Sequence, residues 1–352
     1  MKLVSTTLTG SNADILGDAL RSVVDWVDAC LVIDTGVTDR SLEIAREIAG
    51  DKLVVRTFRW INDFSAARNF ALDAAHEIQG DWALTLDTDE RMELRGEDVR
   101  AEIEGATEGV LMVLDAAGTY AKERFFRLPV KVRFSGPTHE SFPSYKVGCR
   151  TLSRMRFTEL PKSPEGYRKK FERDAEVLRR HTKANPKDPR WFYYLGDALQ
   201  NLKRYEEAIK AYKACAALRG WNEESAWACY RAAECMITLG RYTDAVDSCA
   251  AGLTLHAGIA ELPWLAAFAS WKAGRAEQAV YWARLALPMG LFMGEGHKVK
   301  RIGFRHVSAL HEGPFDVLRF ALRAIGDPAG AAEAERLYQE ALKARSAGGG
   351  QG

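Results

Sequence analysis

Apolar residues recur in two rhythms along this chain, and the rhythm changes near residue 160. Before that point, short apolar runs at Lys2 to Thr7, Ala29 to Asp34, Lys52 to Thr57, Trp82 to Asp87 and Gly109 to Leu114 read as strands bounded by turn residues or acids. Between them, Asp14 to Trp26, Arg40 to Ala49 and Phe64 to Gln79 carry helical spacing. The order βαβαβαβ predicts an α/β domain, Rossmann-like with a mainly parallel sheet, over residues 1–165. Ligands of such sheets gather at the carboxyl ends of the strands, and Asp34 and Asp87 both stand there.

Beyond a linker helix at 166–188 the chain turns to alanine-rich helices. LKRYEEAIKAY, LGRYTDAVDSC and AGRAEQAVYWA superpose, and their alanines Ala208, Ala245 and Ala279 recur near the period of a helix-turn-helix solenoid. The first copy carries most of the tetratricopeptide signature, with Leu195-Gly196 in its first helix and Ala208 and Tyr212 in its second. A weaker fourth copy is visible in LRAIGDPAGAAEAERLYQEAL. An all-α domain of tetratricopeptide-type repeats is therefore expected over 189–345, interrupted by an irregular insertion at about 288–313 and followed by a disordered tail at 346–352. The insertion is rich in glycine and base (His297, Lys298, Lys300, Arg301, Arg305, His306) and reads as a solvated loop, with attraction of an acidic peptide or lipid phosphate as the alternative. The many aromatic residues of this half, among them Trp191, Tyr193, Trp227 and Trp264, read mostly as core between neighbouring helices.

Charge narrows the function classes. With 49 basic and 48 acidic residues the 352-residue chain has no global field to recruit nucleic acid or an anionic membrane. The amino terminus lacks the apolar core of a signal peptide, and no apolar run is long enough for a membrane span, so a cytoplasmic protein is expected. The six cysteines form no CxxC pair and suit reduced, buried thiols.

The most informative stretch is ALTLDTDE, residues 83–90, where an apolar strand runs into three carboxylates. Two carboxylates on one side of a strand end repel unless a cation sits between them, and a hard divalent ion held there can neutralise a diphosphate. A phosphatase strand of the haloacid dehalogenase type needs Thr or Val where Arg91 stands, and no glycine-rich phosphate loop supports a nucleotidyl transferase. An acidic turn capping the next segment is the structural alternative. Three neighbours bear on the choice. LVIDTGVTDRSLEIA runs a strand into Asp34 and places Asp39 at a helix start, where it can simply cap. FRWINDFSAARNFALDAA puts Arg68 and Asn69 on a helix, where the arginine reads either as a surface charge or as a group that reaches a phosphate or stacks on a base. VRFSGPTHESF puts His139, a common metal ligand, beside Glu140, a common general base.

The ordered set IDTGVTDRS, W-x-NDFSAARNFAL, W-x-L-x-LDTDE and F-x-G-x-x-HE resembles the family 2 glycosyltransferases of GT-A fold, in particular the subgroup fused to tetratricopeptide repeats, similar to the enzymes that glycosylate sublancin. The resemblance implies a metal-dependent, inverting transfer from a nucleotide-diphosphate sugar, UDP-sugar favoured, with Mn²⁺ or Mg²⁺ as cofactor. It places base or ribose recognition on Asp34, base and phosphate contact on Arg68, the metal on Asp87 and Asp89 with His139 completing the set, and the catalytic base on Glu140. Asp39, Asp87 and Thr88 join the donor-contacting residues. Relatives usually end the first strand in Lys-Asn-Glu; here it reads Leu8-Thr9-Gly10-Ser11-Asn12, so Thr9 and Ser11 would line the base pocket through their hydroxyls. The repeats offer a groove for a peptide or protein acceptor, or a surface for homo-oligomerisation. A non-catalytic repeat scaffold carrying a degenerate transferase domain is the competing reading.

Overall fold

The structure is a computed structural model, and it describes residues 1–96, 98–299, 301 and 303–347. The chain divides into two compact units, Met1–Glu165 and the remainder from Gly166. The tail positions 348–352 and Lys300 of the basic insertion lie outside the described residues.

The first unit runs β1 (Leu3–Thr9), α1 (Leu16–Arg21), β2 (Ala29–Asp34), α2 (Ser41–Ala49), β3 (Leu53–Thr57), α3 (Phe64–Glu77), β4 (Trp82–Thr85), β5 (Glu90–Leu94), α4 (Val99–Glu104), β6 (Val110–Asp115), β7 (Ala121–Arg127) and β8 (Cys149–Glu159). One sheet joins all eight strands in the order β3-β2-β1-β4-β7-β6-β8-β5. The β3-β2-β1-β4 half is parallel, as the βα alternation predicts. Past β4 the sheet becomes mixed: β7 runs antiparallel to β4 and β6, β8 runs parallel to β6, and β5 closes the edge antiparallel to β8. Successive residues of the central strands fill opposite faces. Leu3, Trp82, Leu84 and Phe125 enter one apolar cluster while Val4, Ala83 and Phe126 enter another, the period-2 consequence of a sheet covered on both sides.

Two elements are shorter than their apolar patterns suggest. The helix expected from Asp14 ends at Arg21 and continues as turns to Trp26, where Ser22 Oγ donates back to the Ala19 carbonyl at 2.6 Å and the β-branched pair Val23-Val24 follows. The strand expected to reach Asp87 ends at Thr85. Leu86 still donates its amide to the Thr6 carbonyl at 2.9 Å, and the chain then turns so that the Glu90 amide reaches the Asp87 carbonyl at 3.0 Å.

The second unit is helical: α5 (Pro164–Ala184, beginning just before the division), α6 (Pro189–Asn201), α7 (Tyr205–Leu218), α8 (Asn222–Thr238), α9 (Tyr242–Leu255), α10 (Glu261–Lys272), α11 (Ala276–Ala286), α12 (Val307–Leu310), α13 (Gly313–Ala324) and α14 (Pro328–Ala347). Pairs α6/α7, α8/α9, α10/α11 and α13/α14 are the four repeat copies, and Ala208, Ala245, Ala279 and Ala334 are buried in their second helices. The turns repeat as well. Arg204, Arg241, Arg275 and Asp327 donate their amides to Leu199, Met236, Ser270 and Leu322 carbonyls at 2.9, 2.8, 2.9 and 2.9 Å. The residue before each is left-handed: Lys203, Gly240, Gly274 and Gly326 at φ 59, 73, 74 and 82°. Gly196 is required by close approach, since a Cβ there would meet the Tyr212 ring at 2.6 Å.

Part of the insertion departs from a solvated loop. Arg301 is 4% exposed and pairs with Glu261, and the aromatic rings of the first helices pack against Phe304. Its charge is spent inside the repeat domain, because those helices carry buried acids that need a cation. The cysteines are free, with Cys149 exposed and the other five buried. Among the described residues no helix is long and apolar enough to cross a membrane.

Candidate active site

Strand register brings the first group together. Thr9 and Asp34 are paired across β1 and β2 at their carboxyl ends. Thr9 is buried, its hydroxyl donating to the Gly10 carbonyl at 3.0 Å, while the Thr35 hydroxyl donates to the Thr9 carbonyl at 2.8 Å. Asp34 Oδ1 accepts the Gly36 and Val37 amides, each at 2.8 Å, which fixes the turn and the carboxylate together. Ser11 is exposed, shares a 2.9 Å hydrogen bond with the Thr38 hydroxyl and accepts the Thr38 amide at 3.0 Å. Asp39 spends both oxygens on the scaffold: Oδ1 accepts the Ser41 amide at 2.9 Å and the Ser41 hydroxyl, and Oδ2 accepts the Ala13 amide at 3.0 Å. The Ser41 hydroxyl and these amides hold its carboxyl below the usual range. Thr9, Ser11, Asp34 and Asp39 thus form one ledge above β1 and β2.

The second group is a chain of alternating charges. Arg68 projects from α3, whose start is capped by Asp63 Oδ1 accepting the Ala66 amide at 2.9 Å. Its Nη2 donates to Asp87 Oδ1 at 2.9 Å and Oδ2 at 3.3 Å, and its Nε to Glu140 Oε1 at 2.5 Å. Burial alone would depress the guanidinium pKa, but Asp87 and Glu140 outweigh it and raise it above the ordinary value. Asp87 is also met by Arg124 Nη2 at 3.7 Å. Against the cost of burial, Arg68, Arg124 and Lys122 hold its carboxyl down at about 2. Glu90 is fully buried; Arg124 and Lys122 pair with its Oε1, and Oε2 accepts the Asp87 amide at 3.2 Å. Burial first, and the nearby Asp87 charge second, push the Glu90 carboxyl up. The alternation continues through Lys122 to Glu159.

Neither Arg124 nor Lys122 was expected as a site residue. Both lie on β7, AKERFFR, whose four charged residues hide its strand character from an apolar pattern. The available signal was an arginine directly before two phenylalanines, since a charge so placed in a strand needs a buried partner.

The loop bearing His139 and Glu140 is pinned at several points. Asn69 clamps Phe134 from both sides, Nδ2 donating to its carbonyl at 3.0 Å and Oδ1 accepting its amide at 3.0 Å. The Phe64 amide donates to the Pro137 carbonyl at 2.9 Å, and Ser135 and Ser141 exchange backbone hydrogen bonds at 3.0 Å. His139 takes a left-handed backbone at φ 49°, uncommon for a non-glycine residue. Asp89 lies on the other side of the turn; its carboxylate pairs with the half-exposed Lys162, and its carbonyl accepts the Leu160 amide at 2.8 Å. Between the two aspartates, the Thr88 carbonyl accepts Arg91 Nη1 at 2.9 Å.

Asp87, Arg68 and Glu140 are therefore joined directly. Asp89 stands two residues after Asp87 in the turn that follows β4, and His139 directly precedes Glu140 in its loop. Among the described residues no three His, Cys, Asp or Glu side chains gather in a metal-holding cluster. The donor chemistry still suits a hard cation. Asp89 offers a carboxylate paired with the flexible Lys162 ammonium, a partner that a divalent ion can replace, whereas Asp87 is gripped by two guanidinium groups.

The model of Glycosyl transferase family 2 matches residues 8–157, the segment that holds every residue of this site except Glu159, Leu160 and Lys162. A TPR repeat-containing protein of Synechococcus elongatus is 42% identical over 135 residues, 36% of this chain and 32% of that protein. The glycosyltransferase SunS of Bacillus phage SPbeta is 26% identical over 211 residues, 55% of this chain and 48% of that protein. The chain thus spans less than half the length of these curated relatives. Among solved structures, one of MamA has 14% identity and a TM-score of 0.41, covering 53% of this chain and 98% of that one. A second, from Desulfovibrio magneticus RS-1, has 18% identity and a TM-score of 0.38 over 52% of this chain and 96% of that one.

Proposed function

We propose that this chain, whose residues 8–157 match glycosyl transferase family 2, is a glycosyltransferase that moves a sugar from a nucleotide-diphosphate donor, UDP-sugar favoured, to an acceptor with inversion. The observation that carries the reading is Arg68 bridging Asp87 and Glu140 at the carboxyl edge of the sheet, one strand from the Thr9 and Asp34 ledge. That edge is where a parallel sheet receives a nucleotide.

Asp34, with Oδ1 committed to its own turn, presents its carboxylate to the ribose or base, and Thr9, Ser11 and Thr88 line that side; Asp39 acts there by fixing the ledge. Arg68 faces the diphosphate with a fork suited to its oxygens. Asp89 is the anchor for a divalent ion, Mn²⁺ or Mg²⁺, with Asp87 and His139 beside it; when bound, the ion neutralises the departing diphosphate. Glu140 takes the proton from the acceptor nucleophile, positioned by the Arg68 Nε hydrogen bond on its Oε1. The acceptor is proposed to be a peptide or protein side chain.

The test is release of nucleoside diphosphate from a panel of nucleotide sugars with Mn²⁺, read beside thermal stabilisation by each donor. Turnover lost on chelation and in Asp89→Ala, with the melting curve unchanged, is the expected result. Absence of stabilisation and of turnover with every donor would leave the non-catalytic scaffold as the better account.

A further inference from the structure

Residues 287–312 separate α11 from α13, and within them Arg301, Phe304 and His306 lie against the first helices of three successive repeat pairs, α6, α8 and α10. First helices form the concave side of such a solenoid, the side on which extended chains bind. We infer that this segment is an internal ligand of the repeat groove, and that the groove takes, in its place, an extended peptide presenting an arginine, an aromatic residue three positions on and a histidine two further.

Each part of that pattern meets a built feature. Arg301 Nη1 donates to both oxygens of Glu261, at 3.0 and 2.8 Å, and its Nε lies 3.7 Å from Glu223. The two acids are 0 and 3% exposed, and Arg305 Nη1 also reaches Glu223 at 3.4 Å, so the buried acidic pair selects an occupant that brings positive charge. Phe304 stacks on Trp227, with centroids 5.6 Å apart and planes at 13°, and is flanked by Tyr193 at 5.3 Å and Trp221 at 5.7 Å. His306 Nδ1 shares a 2.9 Å hydrogen bond with the Tyr230 hydroxyl, and its ring lies 4.7 Å from that of Trp264.

The backbone of the segment is engaged as a bound peptide's would be. The Gly303 amide donates to Glu223 at 3.2 Å and the His306 amide to Glu261 at 3.1 Å, so the same acids read main chain and arginine together. Both ends are extended, at φ −82°, ψ 113° for Val299 and φ −125°, ψ 97° for His306. No described amide from 301 to 306 donates to a backbone carbonyl. The segment is thus held by groove side chains that a second chain of like chemistry can take over.

The inference concerns binding by the repeats and stands apart from sugar transfer, so the assay contains no donor and its failure leaves the transferase reading untouched. The probe is a labelled peptide of residues 298–307, KVKRIGFRHV, followed by anisotropy against the full chain and against Arg301→Ala/Phe304→Ala. The double variant should bind about tenfold or more tighter than the native chain, a gain that adding Glu261→Gln removes, and a scrambled peptide should not bind. A folded double variant that binds no better than the native chain, or binds the scrambled peptide equally, overturns the inference. Should the double variant not fold, hydrogen exchange of the native chain with excess peptide decides. Faster exchange at Gly303 and His306 with α8 unchanged supports displacement; unchanged exchange at those amides refutes it.

Discussion

Arg68 donates through Nη2 to Asp87 Oδ1 at 2.9 Å, which ties α3 to the turn after β4, and the same guanidinium holds Glu140 through Nε. Arg68 is 14% exposed and its partners 30 and 14%, so its removal leaves two carboxylates of like charge in a half-closed site. Arg68→Ala should cost about 3–5 kcal/mol of stability in urea unfolding. It should also cost roughly 100-fold or more in kcat/KM. Arg68→Lys keeps the charge without the fork, and should recover part of the stability but little of the rate. An Arg68→Ala variant with native kcat/KM in the proposed transfer would remove Arg68 from the site.

Asp87 and Glu90 should give opposite pH slopes to stability. Asp87, against its burial, is held at about 2 by its cations, so its contribution is complete above the unfolded value and is lost as pH falls toward about 2. Glu90 is raised by burial and by the Asp87 charge, so what it contributes is complete below its unfolded value of about 4.3 and is lost as pH rises through its folded one. From about pH 4.5 upward only the Glu90 slope remains of the two, and Glu90→Gln should flatten it. Urea midpoints measured across that range in both proteins check this; parallel curves would contradict it.

On the proposed metal role of Asp89, Lys162 and a divalent ion would compete for its carboxylate. Lys162→Gln should therefore tighten Mn²⁺ binding several-fold in a titration followed by thermal shift or electron spin resonance, while Asp89→Ala should abolish it. Weaker binding in Lys162→Gln would mean that the lysine supports the cation site instead of occupying it.

Lys203 stands at the turn where the other three copies carry Gly240, Gly274 and Gly326, all left-handed. An L-residue there costs about 1–2 kcal/mol, part of which glycine gives back as chain entropy. Lys203→Gly should raise stability by about 0.5–1 kcal/mol with transfer activity unchanged. A lower melting temperature would indicate that the Lys203 side chain contributes more than its backbone costs.

The parallel half of the sheet and the repeats were legible because each element announces itself within its own residues. Ala29–Asp34 is an apolar run ending in an acid, and each repeat copy carries its own small residue and turn. The strands β5, β7 and β8 were missed for a physical reason. ERMEL, AKERFFR and CRTLSRMRFTE put charges on both faces of their strands among the apolar residues, and only tertiary pairing shows which of those charges are inside. Arg124 is buried because Glu90 faces it from another strand, a match between residues 34 positions apart. Arg301 is similar: a basic, glycine-rich segment has the composition of a surface loop until Glu223 and Glu261 are known to line one groove.

The enclosure of Glu90 by Arg124 and Lys122 bears on how portable the acidic turn is. Asp87 to Glu90 grafted alone onto another sheet edge would carry three carboxylates, one of them destined for the interior, with no cation to receive it. The transferable unit is the turn together with the two basic residues of β7, and recombination breakpoints between residues 90 and 122 should yield misfolded hybrids unless both parents carry the matching charges.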